Sequence, residues 1–436
     1  MISRNLMRRS CAEGENISLG AGRCLIGSEF VKVLQINSVY GVGSTGKITQ
    51  ALHTALLADG ADSIVLYGRG PDADAPGVYR LCRNLYGRAN SLLSRLTGLR
   101  YGGCNLATGK AFRILSKEQP DVVHLQCING NFINIYRLIS WLKEHQIPTV
   151  VTLHAEFMYT ANCSHAFDCE RWKSGCGRCP RQYAASKSLL FDRTHASFLR
   201  MQRAFSGFDT NLRIVSVSPW LMERAKSSPI FADNSHCVIL NGIDTEIFRP
   251  CRAEDLKELH NVSHKRVIFH ATAMFSDEKE DPKGGWYVLR LAEEMPDAVF
   301  IVAGKHRLHG SLPANVILLG EIRDQLLLAR YYSLADLTVL TSKRETFSLI
   351  CAESLCCGTP VVGFRAGAPE QISIPQYSRF VPNGDLNALR ECIGQMLAIP
   401  YDGRQIAQAA HKLYAKETMI HKYKALYQEV LCGEQR

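Results

Sequence analysis

No stretch of this 436-residue chain approaches the roughly 18 consecutive apolar residues that a membrane-spanning helix needs. The first 30 residues carry Arg4, Arg8 and Arg9 but lack the continuous apolar segment of a secretory signal. They read as a disordered leader, with a true start nearer Val31. No basic stripe with interleaved aromatics is present, so nucleic acid is not an expected partner. No Asp-x-Asp pair is placed to chelate a divalent cation, and no cofactor is expected for catalysis. With no export signal, the 16 cysteines are expected to be thiols of a reducing, cytoplasmic compartment rather than a disulfide framework.

What is present is ordinary in bulk. Apolar residues make up 46% and charged residues 21%, as in a globular protein long enough for two domains. The net charge of +10 suits an anionic substrate or an anionic membrane surface, and simple solubility explains it equally well.

Strand-like and helix-like segments alternate, which predicts an α/β protein of parallel layers. One series runs through Val31–Ile36, Ser63–Tyr67, Asp121–Leu125, Thr149–Leu153, Ile214–Ser218 and Cys237–Leu240. After a polar stretch, a second series runs through Val267–His270, Ala298–Val302, Val316–Leu319, Asp336–Thr341 and Pro360–Gly363. Two doubly wound, Rossmann-like domains follow, at 31–245 and 266–400, joined by a linker at 246–265. A closing segment, 401–436, has a long helical pattern from Gln405 to Leu431 expected to pack back on the first domain.

The loop Gly41-Val42-Gly43-Ser44-Thr45-Gly46-Lys47 follows the first strand and opens a helix. It fits a dinucleotide fingerprint, but the next strand ends Tyr67-Gly68-Arg69, without the acid that would hold a ribose. An NADP oxidoreductase, with Arg69 meeting a 2′-phosphate, stays open. It nearly fits a P-loop, but Ile48 stands where Ser or Thr must meet magnesium. A flexible turn that brings backbone near an anion satisfies both tests, and so does a plain tight turn.

Glu345 and Glu353 bracket a strand-to-helix turn, Glu345 in the loop and Glu353 about two turns into the helix. The helix N-terminus between them suits a phosphate, while the carboxylates can accept hydrogen bonds from hydroxyls. Phosphate flanked by sugar hydroxyls describes a nucleotide-sugar; surface charge is the alternative for the pair alone. Cys163, Cys169, Cys176 and Cys179 lie within seventeen residues in an insertion at 154–182. The two-residue gap Cys176–Cys179 suits a tetrahedral metal. Structural zinc, a redox pair or disulfide, and unpaired thiols are the three readings.

Glu345-Thr346-Phe347-Ser348-Leu349 through Glu353, followed by Gly358-Thr359-Pro360, resembles the Glu-x7-Glu signature of the retaining glycosyltransferases of family 4. Asn241-Gly242-Ile243-Asp244 with Phe248 and Pro250, and Lys283-Gly284, are similar to two further segments of that family. Thr152-Leu153-His154 and the cysteine stretch resemble its bacterial colanic-acid and exopolysaccharide members. The resemblance implies a GT-B fold, two domains facing a cleft, and no catalytic metal. It implies a UDP- or GDP-sugar donor and a lipid-linked oligosaccharide acceptor at the inner face of the cytoplasmic membrane. Carried over by residue, His154 and Glu345 are catalytic. Gly43, Lys283, Phe347, Ser348, Leu349 and Glu353 bind the donor. Lys283 would neutralise the diphosphate, Glu345 hold the sugar and Glu353 the ribose. The family's Arg ahead of the Lys is missing, and its His-Asp pair reads His154-Ala155, leaving any orienting role to Glu156. A sugar-nucleotide epimerase of similar architecture is the remaining alternative.

Overall fold

The computed structural model describes residues 31–432; the leader assigned to residues 1–30 lies outside them. The first sheet contains β1 (Val33–Asn37), β2 (Ser63–Tyr67), β3 (Val78–Arg80), β4 (Val122–Leu125), β5 (Thr149–Leu153), β6 (Leu212–Ser216) and β7 (Ser235–Val238). Their order is β3-β2-β1-β4-β5-β6-β7, all parallel. The second contains β8 (Arg266–Ser276), β9 (Ala298–Arg307), β10 (Val316–Gly320), β11 (Leu337–Leu340), β12 (Val361–Phe364) and β13 (Ser378–Val381). Its order, β10-β9-β8-β11-β12-β13, is parallel throughout. Each sheet reverses its winding once, between β1 and β4 and between β8 and β11. Crevices at the carboxyl ends of strands open at such switch points.

Helices cover both faces of each sheet, so the central strands are buried on both sides. Val33, Leu34, Ile36, Val122, Val123, Val150, Val151, Ile214 and Val215 are all inaccessible to solvent. That burial accounts for apolar runs that do not alternate with polar residues.

Two short edge strands, β3 and β13, went unpredicted because three or four half-exposed residues leave little apolar pattern. β8 and β9 run past their predicted ends to Ser276 and Arg307, where pairing resumes after an irregularity between Ala271 and Met274. The expected long terminal helix is two helices, Gly403–Tyr414 and Lys416–Cys432, interrupted at Ala415. The interruption is tertiary in origin. Ile243 donates its N–H to the Tyr414 carbonyl (2.7 Å), and its own carbonyl accepts from the Lys416 N–H (2.9 Å). A Cβ on Gly242 would lie 2.6 Å from the Lys416 Cα, so only glycine allows this crossing. Lys416 Nζ then pairs with Asp244 at 2.6 Å.

Beyond the crossing, the helix Lys416–Cys432 returns to the first domain. Met419, Tyr423, Leu426, Tyr427 and Val430 form one stripe against Val33, Ile48, Leu52, Val122, Val150 and Val215. Each such side chain stabilises the docking by roughly 1.5–3 kcal/mol. No helix among the described residues is long and apolar enough to cross a membrane.

Candidate active site

At the switch point of the second sheet, the loop after β8 meets the loop after β11. The Thr341 hydroxyl donates to the Lys283 carbonyl (3.1 Å), and Lys343 N–H donates to the Pro282 carbonyl (2.8 Å). Gly284 makes this contact possible: its φ is +72°, and a Cβ there would fall 2.2 Å from the Thr341 carbonyl oxygen. The loops so joined bring Lys283 Nζ to Glu345 Oε1 at 2.7 Å. Glu345 is fixed from the other side, its N–H on the Ala366 carbonyl (2.9 Å) and its carbonyl accepting from Ala368 (3.2 Å). The Glu370 carboxylate accepts the N–H groups of Ala366 and Gly367 and so shapes that same turn.

Phe347 is buried, and Ser348 caps the helix Leu349–Cys356 through Oγ, which accepts from the Cys351 N–H (3.3 Å). Ser348 has φ +81°, an unfavourable conformation for a non-glycine residue, costing on the order of 1–3 kcal/mol. The strain turns the chain sharply from Glu345 into the helix. Glu353 then stands one helix away from Lys283. It accepts from Tyr332 Oη (3.1 Å), and burial raises its carboxyl to about 7, with the charge of Lys47 opposing the rise. Glu353 and Leu349 line a cavity of about 500 Å³ with Gly41, Ser44, Lys47 and Lys416. The cavity lies between the glycine loop, the second domain and the crossing at Asp244. Gly43 is exposed beside it, with open space where a Cβ would be.

Across the cleft, His154 follows β5. Burial pushes its imidazole down to about 4, leaving it neutral at pH 7. Its Nε2 meets Gln126 Oε1 at 2.8 Å. Gln126 Nε2 in turn approaches Gln35 Oε1 (3.3 Å) and His124 Nδ1 (3.4 Å). His124 continues to Tyr427 Oη (2.7 Å) and Thr152 Oγ1 (2.8 Å). The chain thus ends on the returning helix. Glu156 does not take over the missing Asp. Its oxygens are occupied by Tyr159 Oη (2.6 Å), by Arg224 Nε (2.7 Å) and by the Ala166 N–H.

The two walls touch between Glu345 and Phe347. Thr346 Oγ1 donates to the His154 carbonyl (2.8 Å), and the Thr346 carbonyl accepts from Ser218 Oγ (2.8 Å). Arg344 pairs with Asp168 at 3.2 Å, and Trp220 packs where a Cβ on Gly367 would fall 2.6 Å from its ring. His165, half-buried in the cysteine insertion, has its imidazole pushed down by burial, and the charges of Glu156, Glu345, Lys283 and Arg344 act on it as well.

The structure therefore brings Lys283 to Glu345, joins His154 to the Glu345 loop through Thr346, and sets Glu353 and Leu349 apart in the cavity. Gln126, Thr346, Lys47 and His165 went unassigned in the sequence. Lys47 and His165 stood in motifs read for other chemistry, and Gln126 carried no local signal.

The zinc expected at Cys163, Cys169, Cys176 and Cys179 is not supported. Among the described residues no group of three or more His, Cys, Asp or Glu side chains is placed to hold a metal. All four are free cysteines, so no disulfide joins them. Burial, with the charges of the neighbouring cysteines added, pushes the thiols of Cys163 and Cys176 up to about 12. The insertion is held instead by Trp172, which is 1% exposed and donates Nε1–H to the Cys169 carbonyl (2.8 Å).

Two family models match, each on one sheet: Glycosyltransferase Family 4 over residues 45–247 and Glycosyl transferases group 1 over residues 287–398. The chain belongs to glycosyltransferase family 4. The colanic acid biosynthesis glycosyl transferase WcaC of Escherichia coli K12 is 23% identical to it over 92% of this chain and 100% of that one. A GDP-mannose-dependent α-(1-6)-phosphatidylinositol dimannoside mannosyltransferase of Mycobacterium tuberculosis is 25% identical over 61% of this chain and 62% of its own. Among solved structures, sucrose-phosphate synthase of Thermosynechococcus elongatus superposes with a TM-score of 0.65 at 17% identity, covering 93% of this chain and 100% of that one. Anabaena HepE in complex with UDP-glucose gives 0.59 at 15%, covering 91% and 99%. These similarities fix the GT-B architecture and make the protein a hexosyl-type glycosyltransferase using a nucleotide-sugar. The oxidoreductase and epimerase readings fall away.

Proposed function

We propose that this glycosyltransferase moves a hexosyl group from a UDP- or GDP-sugar to a lipid-linked oligosaccharide, with retention of configuration. The product would belong to an exopolysaccharide, capsule or lipopolysaccharide. The domain at 31–245 receives the acceptor, and the domain at 266–400 binds the donor. The enzyme works at the inner face of the cytoplasmic membrane.

The observation that carries this reading is the Lys283–Glu345 ion pair, beside a helix N-terminus that holds Glu353 just over one turn further on. Breaking a glycosyl phosphate bond leaves negative charge on the departing diphosphate. Lys283 and the N–H groups of Phe347, Ser348 and Leu349 stabilise that charge electrostatically. When the phosphate takes Lys283, Glu345 is released to accept hydrogen bonds from sugar hydroxyls. Glu353 takes the ribose, and Gly43 borders the donor. His154, neutral at pH 7, contacts the sugar as a hydrogen-bonding dipole. Retention and the lipid-linked acceptor are carried from the family resemblance and the WcaC relative. The candidate donors are carried from the GDP-mannose-dependent relative and from HepE.

The test is a panel of UDP-, GDP- and ADP-sugars scored by thermal stabilisation, followed by transfer assays with the stabilising donor. Lys283→Ala and Glu345→Ala should retain folding and lose transfer. Wild-type activity in either variant refutes the site.

A further inference from the structure

The first domain carries an apolar surface that none of the described residues covers. The helix Asn84–Thr97 buries none of its 14 residues. Leu85, Leu92, Leu93 and Leu96 are 77, 56, 54 and 43% exposed. At 3.6 residues per turn they fall within an arc of roughly 100°, with Arg88 and Arg95 along one border. The segment after the cysteine insertion extends the patch. Leu189 N–H donates to the Arg95 carbonyl (3.0 Å), and a Cβ on Gly98 would lie 2.5 Å from the Phe191 carbonyl oxygen. Leu189, Leu190 and Phe191 are 55, 66 and 51% exposed.

Charge distinguishes this patch from an ordinary sticky surface. From Gly77 to Lys117 the chain has eight Lys and Arg residues and no Asp or Glu. Arg83, Arg88 and Arg95 are exposed. A second copy of the chain would meet the patch with the same arginines in a two-fold contact, setting like charges together. An anionic lipid surface satisfies both halves, taking the leucines below the headgroups and the arginines among them. The helix carries polar Asn, Ser and Arg on its other face, so it lies in the interface and does not span it.

We infer that the helix Asn84–Thr97 and the segment Leu189–Phe191 form a docking surface for an anionic bilayer. Both follow strands at the carboxyl edge of the first sheet, the edge that also carries the glycine loop and His154. Delivery of a lipid-held acceptor to His154 rests on the function proposed above; the docking itself does not.

Sedimentation of the full chain with vesicles, without substrate, tests it. The chain should bind phosphatidylcholine vesicles containing phosphatidylglycerol, bind pure phosphatidylcholine weakly, and release with added salt. Leu92→Ser/Leu93→Ser and Arg88→Glu/Arg95→Glu should each weaken binding roughly tenfold or more. Donor-induced thermal stabilisation, unchanged in both variants, shows that they fold. Unchanged vesicle binding in the variants, or none by the wild type, overturns the inference. So does self-association of the wild type that the same substitutions abolish while vesicles are ignored. If docking fails while Lys283→Ala still abolishes transfer, only the surface is lost. If docking holds and no donor is used, only the enzymatic reading is lost.

Discussion

Replacing Glu353 by Gln isolates the most perturbed carboxyl of the site. An ordinary Glu titrates near 4.5, and burial holds Glu353 near 7. At 1.36 kcal/mol per pH unit that gap corresponds to at most about 3 kcal/mol. Solvent reaches part of the side chain through the cavity, so about 1–3 kcal/mol is expected. A raised carboxyl pKa means that the folded state binds the proton more tightly than the unfolded chain. Its contribution to stability is complete below about 4.5 and is lost as pH rises through 7. Gln stays neutral, and its amide oxygen can still accept from Tyr332. The variant should therefore match the wild type near pH 5 and exceed it at pH 8.5 by about 1–3 kcal/mol. Denaturant unfolding of the ligand-free protein at both pH values measures the difference. Donor affinity should move the other way. Ribose hydroxyls need the carboxylate, so wild-type affinity should fall as pH drops through 7. The Gln variant should bind roughly 10- to 100-fold more weakly at pH 8.5, as for loss of a charged hydrogen-bond partner. A stability difference that does not change with pH refutes the reasoning.

Gln126→Glu would set a carboxylate against the His154 Nε2 that now lies 2.8 Å from the amide oxygen. The imidazole should then gain a proton near neutral pH, moving the pH–rate profile and the His154 ring nitrogen shifts in NMR. Gln126→Leu should lower kcat with little change in donor KM; a profile unmoved in both variants removes Gln126 from His154's orientation. Glu156→Ala leaves Arg224, whose side chain is 15% exposed beside a fully buried Glu156, with only the longer ion pair to Glu170 at 3.5 Å. That should cost about 3–5 kcal/mol in unfolding experiments, and Glu156→Leu/Arg224→Met should recover most of it. A loss under about 1 kcal/mol would mean that water relaxes the site.

Sequence alone determined whatever depends on neighbours along the chain. The apolar runs of β1, β4, β5, β8 and β11 specify buried parallel strands because both faces are covered. The spacing of Glu345 and Glu353 follows from one loop and just over one helical turn, where two turns were expected. Lys283-Gly284 is legible as a family segment, and its glycine is required because a Cβ there would fall 2.2 Å from the Thr341 carbonyl oxygen. Tertiary structure decided the rest. The His154 carbonyl and Thr346 are 192 residues apart, and His154 and Gln126 are 28 apart, just past the ends of separate strands, so no local pattern links them. Asn241-Gly242-Ile243-Asp244 was readable as a family segment, but its part in breaking the terminal helix at Ala415 needed both chain segments in register. Cysteine spacing suggested zinc, whereas the placement of the four side chains, which forms no metal-holding group among the described residues, is set by how the insertion packs. The leucines of Asn84–Thr97 have the spacing of a buried face, and only the assembled domain shows that none of the described residues covers that face. Spacing records which side chains can share a face; whether that face meets core, ligand or lipid depends on what the fold sets opposite it.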